Sequence, residues 1–367
     1  MSPRLHQSQP LVSLCMMVRN EARTLRQCLD SIVPIADEVI IVDTGSTDGT
    51  QEIIKDYQDE EYFFEWNDDF AAARNYVASL ATGRYVCRWD ADWILREGDL
   101  EKLLAAKAEK FRGAHEVHFN WINEFNEETL APISSVTHMF LYRRELFEWY
   151  CAVPAHDMTR SLDPNLVITQ AVYPDIWVYH LKDPVEKAHR YDQTHELIRT
   201  NLERLPQSHP DRVINLQFYL SSCLFRHEHA EALTTLREML SKVEPANELY
   251  TWLLESEVTC LLHLNRPREA YTRAFASYQH RRDYRTTLAL ADVVALLEPA
   301  SAPGLYREYL DLDKHGDHLD LNYERYRVHP VFMLGHLTQD RSLLEQAKRM
   351  TRRPDTLRKI SAILGAA

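Results

Sequence analysis

No run of apolar residues in this 367-residue chain is long enough to cross a membrane as a helix, so a spanning segment is not expected. The apolar stretch 11–18 comes nearest. It is short, no small-residue cleavage site follows it, and it runs directly into Arg19, Asn20 and Glu21, so a buried first strand is expected there instead of a signal peptide. Cysteine is sparse: six residues, at 15, 28, 87, 151, 223 and 260, with no C-x-x-C pair. Spacing this wide argues against a zinc ribbon or a dense disulfide framework, and points to reduced, mostly buried thiols in a cytoplasmic protein. Positive charge is in deficit, with 42 Lys and Arg against 55 Asp and Glu and a net charge of −13. An acidic average surface disfavours non-specific binding to nucleic acid or anionic membrane, although it is compatible with a local basic groove. No G-x-G-x-x-G follows the first expected strand, which counts against a nicotinamide-dependent dehydrogenase.

What is present is an ordinary globular composition, 45% apolar and 26% charged, at a length suited to two domains. The first half alternates short apolar runs with helical patterns, the signature of βαβ units around a mostly parallel sheet. Strands are expected at 12–18, 39–42, 62–66, 85–89, 116–121 and 137–142, with a helix over 22–32. After about residue 187 strand patterns vanish, glycine becomes scarce and helical periodicity runs almost to the end. Helix pairs are expected at 216–225 with 229–243, and at 248–264 with 267–279. Their period is roughly the 34 residues of tetratricopeptide (TPR) repeats, and the match is degenerate. The expected architecture is therefore a Rossmann-like α/β domain over 1–187 followed by an all-α TPR-like domain over 188–367. Such repeats bind other proteins, buttress a neighbouring domain or form a dimer contact.

The most informative residues are Trp89-Asp90-Ala91-Asp92-Trp93, at the end of an expected strand. In a D-x-D arrangement one carboxylate can grip a divalent cation while the other orients ribose or sugar hydroxyls. Hard oxygen ligands suit Mn²⁺ or Mg²⁺, and ligands in open α/β sheets sit beyond the carboxyl ends of the strands. Alone, the triplet is weak in a chain with 55 acids. Its company matters more: Arg19-Asn20-Glu21 closes the first strand, Asp43 closes the second, and the stretch 68–75, with Arg74 and Asn75, opens a helix before the D-x-D.

With these motifs the chain resembles the family 2 glycosyltransferases of GT-A fold. The matching stretches are SLCMMVRNEARTLRQCLDSI, DEVIIVDTGSTDGT, WNDDFAAARN and ATGRYVCRWDADW, which cover residues 13–95 in order. Within the family it is similar to members with a helical, TPR-like C-terminal region, among them transferases that glycosylate bacteriocin peptides on cysteine. The resemblance implies a UDP-sugar donor, glucose or N-acetylglucosamine. It implies that Asp43 contacts uracil or ribose, that Arg19 and Glu21 line the nucleotide pocket, and that Arg74 helps hold the donor. Asp92 then matches the metal-binding carboxylate and Asp90 the one facing ribose or sugar. The family's His-Glu pair corresponds to His156-Asp157, which makes Asp157 the general base. His180, at the end of the stretch 175–180, corresponds to a further metal ligand, and mixed carboxylate and imidazole ligation favours Mn²⁺ somewhat over Mg²⁺.

Plainer roles stand beside these. Asp43 and Asp48 can cap the following helix, Arg74 and Asn75 can be surface residues of an amphipathic helix, and Glu21 can complement a helix dipole. Trp93 departs from the family pattern; its indole can stack on a sugar or acceptor, or pack beneath the loop. Trp121, Tyr142, Phe147, Trp149 and Tyr150 either line the acceptor side or belong to the core. The expected acceptor is a peptide or protein. A modified DNA base and a surface glycan are the other acceptor classes, and an inactive TPR-like interaction protein is the reading from outside enzymology.

Overall fold

A computed structural model describes residues 9–67, 69–125, 132–154, 156–181, 184–245, 247–312 and 324–366. Asp68, one residue of the stretch 68–75, lies outside them. Contacts divide the chain into two compact units, Met1–Glu124 with Ser135–His189, and Phe125–Ser134 with Arg190–Ala367.

The first unit is built on β1 (Val12–Val18), β2 (Glu38–Asp43), β3 (Tyr62–Phe63), β4 (Tyr85–Arg88), β5 (Trp93–Leu95), β6 (Glu116–Phe125), β7 (Pro132–Arg143), β8 (Phe147–Val153), β9 (His156–Ser161) and β10 (Gln170–His180). Eight of these form one sheet in the order β3-β2-β1-β4-β7-β6-β10-β5, and β8 and β9 pair as a separate hairpin. The pairs β2–β3, β1–β2, β1–β4 and β6–β10 are parallel, while β4–β7 and β5–β10 are antiparallel. Helices α1 (Leu25–Ile32), α2 (Thr50–Ile54), α3 (Phe70–Leu80) and α4 (Leu100–Ala108) connect them.

β1 is buried nearly throughout, as a run apolar at every position but Ser13 favours. Because side chains alternate across a strand, Leu14, Met16 and Val18 enter one core with Leu25, Cys28 and Leu29 of α1. Cys15 enters the other, with Ala71 and Val77 of α3. The chain runs outward from β1 through β2 to β3 and then returns to β4 on the other side of β1. That reversal makes the carboxyl ends of β1 and β4 the switch point at which α/β sheets bind ligands.

One buried polar contact fixes this part of the sheet. Ser13 on β1 donates through Oγ to the Glu38 carboxylate on β2, and the same oxygen accepts from the Gly83 amide at 2.9 Å. Gly83 has no room for a side chain: a Cβ there would stand 2.5 Å from Ser13 Oγ and 2.8 Å from the Ser13 backbone nitrogen.

The second unit is helical: α5 (Pro184–Arg204), α6 (Arg212–Phe225), α7 (His229–Leu240), α8 (Glu248–His263), α9 (Pro267–His280), α10 (Tyr284–Leu297), α11 (Ala302–Asp311), α12 (His329–Thr338), α13 (Arg341–Met350) and α14 (Pro354–Ala366). Three of its turns share one construction. His227, Asn265 and Gln339 follow α6, α8 and α12 with left-handed φ of 59°, 57° and 55°. The amide of the next residue then reaches back five positions, Glu228 to Cys223, Arg266 to Leu261 and Asp340 to Gly335, each at 2.9 Å. This is the Schellman helix ending, met here without glycine. No helix among the described residues is long and apolar enough to cross a membrane.

Replacing Gly83 with alanine crowds the backbone of β1 as well as the Ser13 hydroxyl. Gly83→Ala is expected to lower unfolding stability by about 1–3 kcal/mol, measured by urea denaturation; a change within the error of the midpoint would show that the β1–β4 contact is looser than described.

Candidate active site

Two loops at the carboxyl ends of β1 and β2 are laced together. Asn20 sits at φ 56°, which lets its Oδ1 accept from the Thr47 amide at 2.8 Å while its own amide donates to Ser46 Oγ at 2.9 Å. The Glu21 amide donates to Thr50 Oγ1 at 2.8 Å, and the Ala22 amide to Asp48 at 3.2 Å. The Glu21 carbonyl accepts from the amides of Thr24 and Leu25 at 3.1 and 2.9 Å. Residues 21–24 therefore form a turn, and α1 begins at Leu25 and not at residue 22.

Asp43 ends β2 buried, its carboxylate accepting from the Ser46 hydroxyl at 2.5 Å and from Gln51 Nε2 at 2.7 Å. The N-cap of α2 is Gly49, without a side-chain cap, so Asp43 shapes the loop and does not cap the helix. The Glu21 carboxylate accepts from Thr24 Oγ1 at 2.9 Å. Arg19 is exposed at the rim, without a hydrogen bond or ion pair among the described residues.

Beside these loops stands a cluster of buried charge. Asp69 caps α3 by accepting from the Ala72 amide at 2.9 Å, and the helix delivers Arg74 inward. Arg74 is 7% exposed, which rules out the surface-helix role for it. Its Nη2 donates to Asp90 Oδ1 at 3.1 Å and its Nε donates to Asp157 Oδ2. Asn75 exchanges two 2.8 Å hydrogen bonds with the Trp149 backbone and so fastens α3 to β8.

Arg88, the last residue of β4, donates to the other Asp90 oxygen at 2.8 Å and to His138 Nε2 at 3.0 Å. Burial opposes the charge on Asp90, but Arg88 and Arg74 outweigh it and hold the carboxyl well below the usual carboxylate range. Burial, reinforced by Arg88, drives His138 down to about 3, so this ring is a neutral acceptor at physiological pH.

Asp92 has a different environment. After the D-x-D turn, β5 pairs antiparallel with the end of β10, placing Trp93 opposite His180. Asp92 Oδ2 and His180 Nε2 are thereby brought to 3.0 Å. Trp121 lies against the His180 ring with centroids 4.7 Å apart. Trp93 is 2% exposed and packs among Trp89, Phe140 and His138, with the Arg88 guanidinium 4.4 Å from its ring. Of its two expected roles, packing beneath the loop is the one realised. Tyr142, Phe147 and Trp149 are likewise core residues, while Tyr150 is half-buried with the Arg160 guanidinium 5.0 Å from its ring.

The donor set fits a divalent cation at Asp92 and His180, where a carboxylate oxygen and an imidazole nitrogen already converge. Asp90 lies apart from that pair, its two oxygens accepting from Arg74 and Arg88. Arg88 and His138 were not expected from sequence. Arg88 precedes Asp90 by two residues on the same strand end, a signal that alternation could have given. Nothing local marks His138 among 17 histidines.

Residues 13–114 match the model of glycosyl transferase family 2, and this part of the chain is a glycosyltransferase domain of that family. A TPR repeat-containing protein of Synechococcus elongatus is 32% identical over 202 residues, 54% of this chain and 46% of its own length. The prophage-derived glycosyltransferase SunS of Bacillus subtilis is 38% identical over 85 residues, 23% of this chain and 20% of its own. The chain thus spans less than half the length of these curated relatives. Among solved structures, Staphylococcus aureus TarS 1-349 in complex with UDP-GlcNAc is 14% identical with a TM-score of 0.41, covering 74% of this chain and 91% of that one.

Arg74 is the shared partner of two acids, so its loss leaves both short of a cation in a poorly solvated site. Arg74→Met is expected to lower unfolding stability by about 3–5 kcal/mol. The depressed Asp90 carboxyl contributes stability that is fully present above the usual carboxylate value of about 4 and is lost as pH falls through its lower folded value. Acid titration of stability below about pH 4 should therefore be shallower in Asp90→Asn than in wild type; identical slopes would remove Asp90 as a source of acid lability.

Proposed function

We propose that this protein is an inverting, metal-dependent glycosyltransferase, with catalysis in residues 1–187 and a TPR-like domain over 188–367. It moves glucose or N-acetylglucosamine from a UDP-sugar to a peptide or protein in the cytoplasm. The observation that carries the reading is the convergence of the Asp92–His180 pair and the Arg74-bridged Asp90 and Asp157 beyond the strand ends of a family 2 glycosyltransferase domain.

In this reading Arg19, Glu21 and Asp43 line the nucleotide pocket, and Arg74 helps hold the donor. Asp90 faces ribose or sugar; each carboxylate oxygen bound to an arginine keeps a second acceptor position for a hydroxyl. Asp157 uses Oδ2 to accept from Arg74, which fixes its orientation and leaves Oδ1 to take the acceptor's proton. An ordinary hydroxyl is a weak acid, so that proton leaves as the new bond forms to the anomeric carbon. The departing nucleoside diphosphate carries away the electron pair of the broken bond, and inversion follows from the single displacement. A divalent cation held by Asp92 and His180 would offset the charge gathering on that leaving group. Asp157 is one methylene shorter than the family's glutamate, so the acceptor approaches closer or sits differently than in those relatives.

The deciding measurement is binding and slow hydrolysis of a nucleotide-sugar panel, with Mn²⁺ and with EDTA. Metal-dependent selection of one UDP-sugar is expected. A folded protein that binds none would instead be an inactive interaction module. Asp157→Asn should lower kcat by about 10²–10⁴-fold while UDP affinity holds, whereas Asp92→Ala should lose both turnover and metal-dependent UDP binding. Near-normal turnover in Asp157→Asn would move the base elsewhere.

A further inference from the structure

The helical unit contains a second cluster of ligand-type side chains, unrelated to the transferase reading. His195 comes from α5, Cys223 from α6, and Glu228 from the Schellman turn that ends α6. The Glu228 amide N–H donates to the Cys223 carbonyl at 2.9 Å, which holds that turn against the thiol's own residue. One nitrogen, one sulfur and one carboxylate oxygen from the three lie within 4.8 Å of one another. His195 and Cys223 are buried, at 3% and 0% exposure.

The polar bonding around the cluster stops short of its centre. His195 Nδ1 lies 3.0 Å from Ser222 Oγ, which turns Nε2 inward. Glu228 Oε1 accepts from Arg226 Nε at 2.8 Å, and its Oε2 is buried with no hydrogen-bond partner among the described residues. Between Nε2 and Oε2 the separation is 3.6 Å. That is too long for a hydrogen bond. It is close to the roughly 3.3 Å between two ligands each about 2.0–2.1 Å from a tetrahedral zinc ion. A carboxylate oxygen taken from water without a partner is costly, and an ion at this point would supply one.

We propose that the helical unit binds one zinc ion through His195 Nε2, Cys223 Sγ and Glu228 Oε2, with solvent in the fourth position. A thiolate beside an imidazole and a carboxylate suits zinc and excludes the all-oxygen ions magnesium and calcium. Ser222 and Arg226 act as outer partners, fixing the imidazole tautomer and the carboxylate's orientation. The ion clamps α5, α6 and the α6–α7 turn, so binding is coupled to the stability of this end of the helical unit.

The test is titration of the chelator-stripped full chain with Zn²⁺ and Co²⁺, in wild type and in Asp92→Ala, which removes the ligand proposed for the transferase site. One cobalt per chain is expected in Asp92→Ala, with a thiolate-to-cobalt charge-transfer band. Cys223→Ser should abolish that band, and Glu228→Gln should weaken zinc binding by at least about 10-fold. Should Cys223→Ser fail to fold by far-UV circular dichroism, the partly exposed Glu228→Gln position decides. No band in folded Asp92→Ala protein overturns the proposal. So does a band that survives in Cys223→Ser, or zinc affinity unchanged in Glu228→Gln.

Discussion

The structure of the site depends on one buried cation serving two acids. Arg74 reaches Asp90 with Nη2 and Asp157 with Nε, and its guanidinium lies 5.1 Å from the Trp149 ring. A lysine could not hold the same arrangement, because the planar guanidinium offers donors in fixed directions where an ammonium offers a single point of charge. The two acids come from distant parts of the chain, one after β4 and one in β9. Their shared partner sets the distance between the D-x-D segment and the β8–β9 hairpin. Asn75, one residue along the same helix, fastens that hairpin by its backbone at Trp149. A single turn of α3 thus fixes both the charge and the geometry.

Much of this was legible in sequence because it depends on local pattern. The largely apolar run of β1 was better explained by a buried strand than by a signal peptide, and the strand is found at 12–18, buried nearly throughout. The D-x-D, Asp43 and the Arg74 segment each sit where a strand ends or a helix begins, so their order along the chain fixed their positions at the sheet's carboxyl edge. The helix pairs were visible as periodicity. What could not be read was anything created by register between distant strands. His138 became a neighbour of Arg88 only because β7 lies antiparallel against β4. Trp93 was ambiguous for the same reason: whether an indole after the D-x-D faces a ligand or the core depends on β5 pairing with β10.

The repeat period departs from expectation for a physical reason. Asn265 follows His227 by 38 residues and Gln339 follows Asn265 by 74, about one and two units of 37, against the roughly 34 of a tetratricopeptide repeat. The interval from His227 to Asn265 holds α7 and α8, 12 and 16 residues long, and the connection 241–247 between them supplies the extra length. Degeneracy at the turns is explained too. The left-handed position is ordinarily glycine, and here it is His, Asn and Gln, so a search for glycine punctuation finds nothing at these positions.

The two carboxylates of the D-x-D, only two residues apart, have been given opposite surroundings. Asp90 accepts from two arginines, and its charge is compensated by the protein itself. Asp92 faces an imidazole, which can be a ligand beside it as readily as a hydrogen-bond partner. A divalent cation of the kind proposed would find the carboxylate charge already neutralised by arginine at Asp90 and not at Asp92, so Coulomb attraction favours the second acid. His138, kept neutral by burial and Arg88, adds no further positive charge on the Asp92 side. The difference between two chemically identical side chains therefore resides in what β4 and α3 place next to one and β10 places next to the other.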